Sequence, residues 1–202
     1  MLGDDMSLTP TRDSAAMLEQ TRSDCDRRGD VWVFGYASLI WRPEFDFAEH
    51  RPARLHGWHR SFWMRSRVNR GTPAQPGLVF ALVSGGSCQG MVFRIERARV
   101  QQELTRLWAR EMPTGVYDPR WLPCRTAQGP ITALGFTLSR RSPNFTGRLS
   151  DAELLQVLRQ ASGRYGTTLD YMLHTAQALR ARGMLDRELA RLEALARAAG
   201  LA

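Results

Sequence analysis

The chain contains no lysine: all 28 of its basic residues are arginine, against 20 acidic ones, for a net charge of +8. The absence reads as the mark of a GC-rich genome and not of a mechanism. A basic balance permits nucleic-acid binding and would attract small anions, but arginine-rich faces are often only solvated surface. Cysteine is scarce. Cys25, Cys88 and Cys124 are an odd, scattered set, which excludes a disulfide framework and shows no metal-ligand spacing. Three reduced thiols suit a reducing compartment. The four histidines make no metal site. His56 and His59 stand three apart in a stretch that reads as extended, without a cysteine or carboxylate at ligand spacing. No metal and no cofactor are expected. No apolar run approaches the roughly 18 residues of a membrane span. Met1-Leu2-Gly3-Asp4-Asp5 lacks the basic-then-apolar layout of a signal peptide, so the expected location is the cytoplasm, with no membrane partner. A nucleophile elbow is missing too: Ser38 sits in Tyr36-Ala37-Ser38-Leu39-Ile40, which is not G-x-S-x-G. Nor does any Cys–His pair carry the local signature of a thiol enzyme.

What is present is enough chain for one well-filled domain, 202 residues,. Residues 1–30 are polar and read as an extension, partly disordered or carrying a short helix near Ser14–Thr21. The composition changes at Val31, where a domain over 31–202 is expected to begin. Val31-Trp32-Val33-Phe34 has the character of a buried strand, and Gly35-Tyr36-Ala37-Ser38 that of a turn or loop after it. Residues 54–67 should include a strand. Gly77–Val83 and Gly90–Ile95 read as a hairpin turned at Ser84-Gly85-Gly86-Ser87. Their apolar faces on both sides call for coverage or closure into a barrel. A helix follows over about 97–111, then strands over 116–126 and 131–140. Ser150-Asp151-Ala152-Glu153 has the pattern of a capping box and opens a helical C-terminus, with helices over 150–161, 167–181 and 185–198. The class expected is α+β: a small, strongly curved antiparallel or mixed sheet with flanking helices.

Glu111 is the residue that pattern alone singles out. Val100, Leu104, Leu107 and Trp108 form the apolar stripe of their helix, and Glu111 falls on it one turn past Leu107. Pro113 then stops the helix. A carboxylate aimed at a core has a partner or a job. The stripe leaves open a structural glutamate that snorkels or pairs with arginine. A second constellation is the strand-to-loop corner Gly35, Tyr36, Ala37, Ser38, Leu39 and Ile40. Its small residues keep backbone N–H groups approachable, as in a carboxylate-binding nest, although an ordinary core corner looks the same. Tyr117, six residues past Glu111, and Tyr171, near the start of a helix, are weaker candidates, since a tyrosine on such a helix is more often core. His56–Arg67 mixes aromatics with arginines like a single-strand binding platform. With no nucleic-acid motif beside it, a strand with arginines outside is the simpler reading, and no nucleic-acid partner is expected.

Four stretches in order resemble the ChaC family of glutathione-specific γ-glutamylcyclotransferases, and its bacterial members most. Val33-Phe34-Gly35-Tyr36-Ala37-Ser38-Leu39-Ile40-Trp41 is similar to the family's V-F-G-Y-G-S-L-[IM]-W. Arg70-Gly71-Thr72-Pro73-Ala74-Gln75-Pro76-Gly77 is similar to R-G-x-x-x-x-P-G. Arg110-Glu111 followed by Gly115-Val116-Tyr117 matches R-E and G-x-Y. Ser162 to Met172 follows S-G-x-x-G-x-N-x-x-Y-L. Two departures stand out. Ala37 replaces a glycine, which would cost about 1 kcal/mol or more if that position needs a positive φ, and would alter substrate binding if glycine is there for close approach. Thr168 stands where the motif has asparagine. The resemblance implies a γ-glutamylcyclotransferase-like fold and a cofactor-independent reaction on glutathione. In it the α-amine of the γ-glutamyl group attacks its own γ-carbonyl, giving 5-oxoproline and Cys-Gly. It implies Glu111 as the general base and acid, the Gly35–Ile40 loop as the substrate cradle, and Tyr117 and Tyr171 as lining. Arg70 and Arg94 are further candidates for recruiting an anionic substrate. A cyclotransferase for another γ-glutamyl peptide or amine, and an inactive or nucleic-acid-binding module, are the competing readings. Oligomeric state is left open, with a monomer as the default.

Overall fold

Val31 to Phe34 are all β-branched or aromatic, the residues that fit a pleated, half-buried surface, and they form β1 (Val31–Gly35). The computed structural model of the chain describes residues 12–202. Residues 1–11 of the polar extension, and the expectation of disorder there, lie outside the described residues. Within the extension α1 (Ser14–Asp26) is longer than the short helix expected, and Asp13 caps it by accepting from Ala16 N at 2.9 Å.

After β1 the chain turns into a single helical turn, α2 (Ser38–Trp41). Two long strands follow, β2 (Glu49–Ser66) and β3 (Gly77–Ile95), paired antiparallel along most of their length. The expected hairpin at Ser84–Ser87 is not there. β3 runs straight through it, because β2 offers a partner on both sides: Trp58 pairs with Ser84 and His56 with Ser87. Between those pairs Gly57 alone on β2 faces Gly85 and Gly86 on β3, so the glycines absorb a bulge and not a turn, with φ of +105° at Gly85 and +67° at Gly86,.

A 3-10 turn over Arg97–Arg99 leads into α3 (Val100–Glu111). Then come β4 (Asp118–Thr126) and β5 (Gly129–Thr137), an antiparallel pair close to the expected bounds. The five strands close as β1-β3-β2-β4-β5, and β5 returns to β1 in parallel through Trp32–Ala133 and Val33–Leu134. The barrel is therefore mixed, as its doubly apolar strands require, and Val33, Leu55, Leu82, Ala133 and Leu134 are buried in the core.

The C-terminus is helical: α4 (Asp151–Gln160), α5 (Thr168–Arg180) and α6 (Arg187–Ala198). Ser150 and Glu153 make the reciprocal capping box at the start of α4. Between α4 and α5 a two-residue pair, β6 (Ser162–Gly163) and β7 (Gly166–Thr167), makes a tight loop. α5 braces α2: the rings of Trp41 and His174 lie 5.4 Å apart, tilted by 33°, and Trp41 Nε1 donates to Thr175 Oγ1 at 3.4 Å. This α+β barrel with flanking helices and a helical C-terminus is the fold class the sequence pointed to. Among the described residues no helix is long and apolar enough to cross a membrane.

Candidate active site

Three helices, α2, α3 and α5, and the segments and strands beside them meet at one end of β1. The chain leaving β1 supplies Tyr36 and Ala37, and α2 adds Ser38 and Leu39. The last residue of α3 is Glu111, and Pro113 ends that helix within two residues, so the carboxylate sits at its terminus. Tyr117 follows in the segment before β4, and Tyr171 comes from the first turns of α5. With Phe80 and Phe136 these residues line one small cavity.

Seven of the nine residues named as candidates from the sequence are thus brought together. Gly35 and Ile40 are not in the lining. Gly35 lies beneath the corner, where an added Cβ would come within 3.0 Å of both Leu39 and Phe93. The side chain of Ile40 is in the core. Arg94 stands away from the cavity at the opposite end of β1, tied to Asp30 at 2.6 Å and Glu49 at 3.2 Å. Arg70 is buried behind the wall. Its guanidinium lies 5.1 Å from the Tyr171 ring centre and donates to the Tyr165 carbonyl at 2.5 Å.

Glu111 is largely enclosed, with 15% of its side chain exposed. Burial pushes its carboxyl above the ordinary glutamate value, and the adjacent Arg110 guanidinium opposes that rise,. Arg110 was not among the residues singled out for the site. It lies 3.0 Å from Glu111 Oε1 through Nε and donates to Ser38 Oγ through Nη2 at 3.0 Å. It also reaches Glu44 at 2.9 Å and the Arg42 carbonyl. One guanidinium thus joins the end of α3 to the start of α2. The R-E pair in the sequence was the available signal for it.

The three phenols share the cavity with the acid. Tyr36 and Tyr117 are hydrogen-bond partners. Burial raises both well above the usual phenol range, and the Glu111 charge raises them further. Tyr171 is pushed up by burial as well, and its hydroxyl accepts from Phe80 N at 3.2 Å. Burial keeps all three protonated near neutrality.

Ala37 has φ −141° and ψ −115°. The position does not need a left-handed backbone, so alanine carries no penalty of that kind. What remains is its place in the cavity wall. Thr168 is committed to structure: its buried hydroxyl donates to the Arg70 carbonyl at 2.9 Å and accepts from Leu78 N at 3.3 Å. Those two bonds leave it facing backbone and not the cavity.

The aromatic and arginine stretch lies within β2. Phe62 and Met64 are in the core. Arg60, expected outside, is turned inward and buried. The cysteines are free and buried, and burial pushes the Cys25 thiol to about 11 and the Cys124 thiol to about 12. Such thiols are poor nucleophiles near neutrality. No cluster of His, Cys, Asp or Glu suited to a metal ion occurs among the described residues.

The model of the ChaC-like protein family matches residues 31–199. The chain belongs to the ChaC family. It is 38% identical over 173 residues to the glutathione-specific gamma-glutamylcyclotransferase of Escherichia coli strain K12, covering 85% of this chain and 75% of that one. It is 29% identical over 173 residues to the human glutathione-specific gamma-glutamylcyclotransferase 1, covering 83% and 78%. Its fold is similar to a crystal structure of the yeast gamma-glutamyl cyclotransferase specific to glutathione, with a TM-score of 0.76 at 22% identity, covering 84% of this chain and 96% of that one.

Proposed function

We propose that this ChaC-family chain is a γ-glutamylcyclotransferase that acts on glutathione. The observation that carries the reading is the enclosed Glu111 facing the Tyr36–Leu39 corner across one small cavity, in a chain whose relatives bear that name over most of their length.

The chemistry sets two demands. The attacking α-amine has a pKa of about 8 and is mostly protonated at neutral pH. A base must remove its proton, and the departing cysteinyl amine must gain one. Glu111 does both in turn. Once the ammonium has shed one proton to solvent, Glu111 takes a second from the amine nitrogen as it bonds to the γ-carbonyl carbon, and returns that proton to the leaving nitrogen as the amide C–N bond breaks. Burial raises its carboxyl toward the range where both transfers are effective,. Arg110 keeps the carboxylate populated by pairing with it.

The second demand is shape. The γ-glutamyl chain must fold back on itself into a five-membered near-attack geometry. The corner over Tyr36–Leu39 holds the α-carboxylate through backbone N–H groups, and Tyr36, Tyr117 and Tyr171 close the walls around the aliphatic part. The reaction is intramolecular and calls on no cofactor. Ala37 in the wall favours a second reading, in which another γ-glutamyl peptide is the better substrate. Comparing turnover of glutathione, γ-Glu-Ala and γ-Glu-Lys separates the two. Glutathione turned over best supports the first reading, and preference for either other substrate overturns it.

The same reading places the cyclotransferase-like domain in residues 31–202, with 1–30 as an extension, and a monomeric protein in the cytoplasm. The reduced, buried thiols support that compartment,.

A further inference from the structure

Arg60 belongs to the arginine-rich stretch of β2, yet its side chain is only 1% exposed. A buried guanidinium is costly unless its donors and charge are met. Here they are met by three separate parts of the chain. Nε donates to the Tyr36 carbonyl at 2.5 Å, and Nη2 to the Gln89 carbonyl at 2.5 Å. Nη1 pairs with the Asp186 carboxylate. Asp186 in turn caps α6, accepting from Leu189 N at 3.0 Å. One planar fork therefore ties the C-terminal helix to the corner that lines the cavity.

The Tyr36 carbonyl shares its peptide with the Ala37 N–H. In a trans peptide the two point in opposite directions, and no cis bond occurs among the described residues. Arg60 is outside the cavity lining, whereas Ala37 is part of it. A carbonyl held toward Arg60 turns the Ala37 N–H toward the cavity. The rigid guanidinium fixes that orientation in a way a flexible ammonium does not.

We propose that Arg60 is a positioning residue for the reaction. By fixing the Tyr36–Ala37 peptide it presents the Ala37 N–H to the α-carboxylate of the γ-glutamyl group, and Asp186 holds the guanidinium in place. The proposal rests on the cavity being the γ-glutamyl site. A fixed N–H favours a charged acceptor over a neutral one, so the effect of Arg60 depends on the substrate's α-carboxylate.

The test compares kcat/KM for glutathione and for the same peptide with its γ-glutamyl α-carboxylate converted to the carboxamide. Wild type, Arg60→Lys and Asp186→Asn are measured, with thermal unfolding as the control for folding. In Arg60→Lys the ratio of the two kcat/KM values falls about tenfold, the size expected for one hydrogen bond to a charged group. Asp186→Asn lowers the same ratio by a smaller factor, and decides alone if Arg60→Lys does not fold. A merely structural role lowers both substrates equally and leaves the ratio unchanged, and that result overturns the proposal. Unchanged turnover of both substrates overturns it too. If the wild type turns over neither peptide, the cyclotransferase reading fails, and the positioning role falls with it.

Discussion

Arg110 and Glu111 are neighbours in sequence and an ion pair in space, with Arg110 Nε 3.0 Å from Glu111 Oε1. The pair sets two opposing influences on one carboxyl. Enclosure raises it above the ordinary value of 4.5, and the guanidinium pulls it back. A carboxyl that shuttles a proton must both accept and release it, and the two influences act on those steps in opposite senses.

The pH profile follows from that balance. The acidic limb of kcat/KM lies above 4.5, since the basic form of Glu111 is required,. Arg110→Gln removes the opposing charge, so the limb moves to higher pH,. A limb that stays in place in the variant contradicts the pairing. Stability carries the same sign. A carboxyl whose folded value is raised favours the folded state fully below 4.5, and that contribution is lost as pH rises through the folded value,. Glu111→Gln should therefore gain thermal stability relative to wild type between acid and neutral pH.

Ala37→Gly tests what the alanine does. With φ at −141°, glycine relieves no left-handed strain. It only frees the unfolded chain, at a cost of about 0.4–1 kcal/mol. Thermal unfolding should show a small loss of stability, and a gain would mean that the backbone at this corner is strained. The same variant, assayed on glutathione, γ-Glu-Ala and γ-Glu-Lys, shows whether the methyl in the wall sets substrate preference.

Thr168→Val keeps the shape of the side chain and deletes the hydroxyl that joins the Arg70 carbonyl to Leu78 N. Two buried backbone groups lose their partner, which should cost about 1–3 kcal/mol in chemical denaturation. Loss of activity without loss of stability would instead place Thr168 in the catalytic machinery.

Local pattern carried much of this architecture. The run Val31–Phe34, the apolar stripe of α3 and the Ser150–Glu153 cap are short-range signals, and each marks its element where it stands. Features set by distant partners were not legible. Gly85-Gly86 has the composition of a turn, and becomes a bulge only because β2 continues opposite it. Arg60 alternates with core residues like an outward arginine, and turns inward because Tyr36, Gln89 and Asp186 converge on it. Glu111 shows the mixture most clearly. Its periodicity gave the direction of the side chain, but Ser38, joined to it through Arg110, lies 73 positions away in the chain (111 − 38 = 73).

The most direct measurement is the release of 5-oxoproline and Cys-Gly from glutathione by the purified protein and by its Glu111→Gln variant. Equal amounts of the two products are expected from the wild type. The variant should fold normally and lose between about a hundredfold and ten-thousandfold in rate, the contribution of a positioned general base. A folded Glu111→Gln protein that makes 5-oxoproline at the wild-type rate would contradict the account.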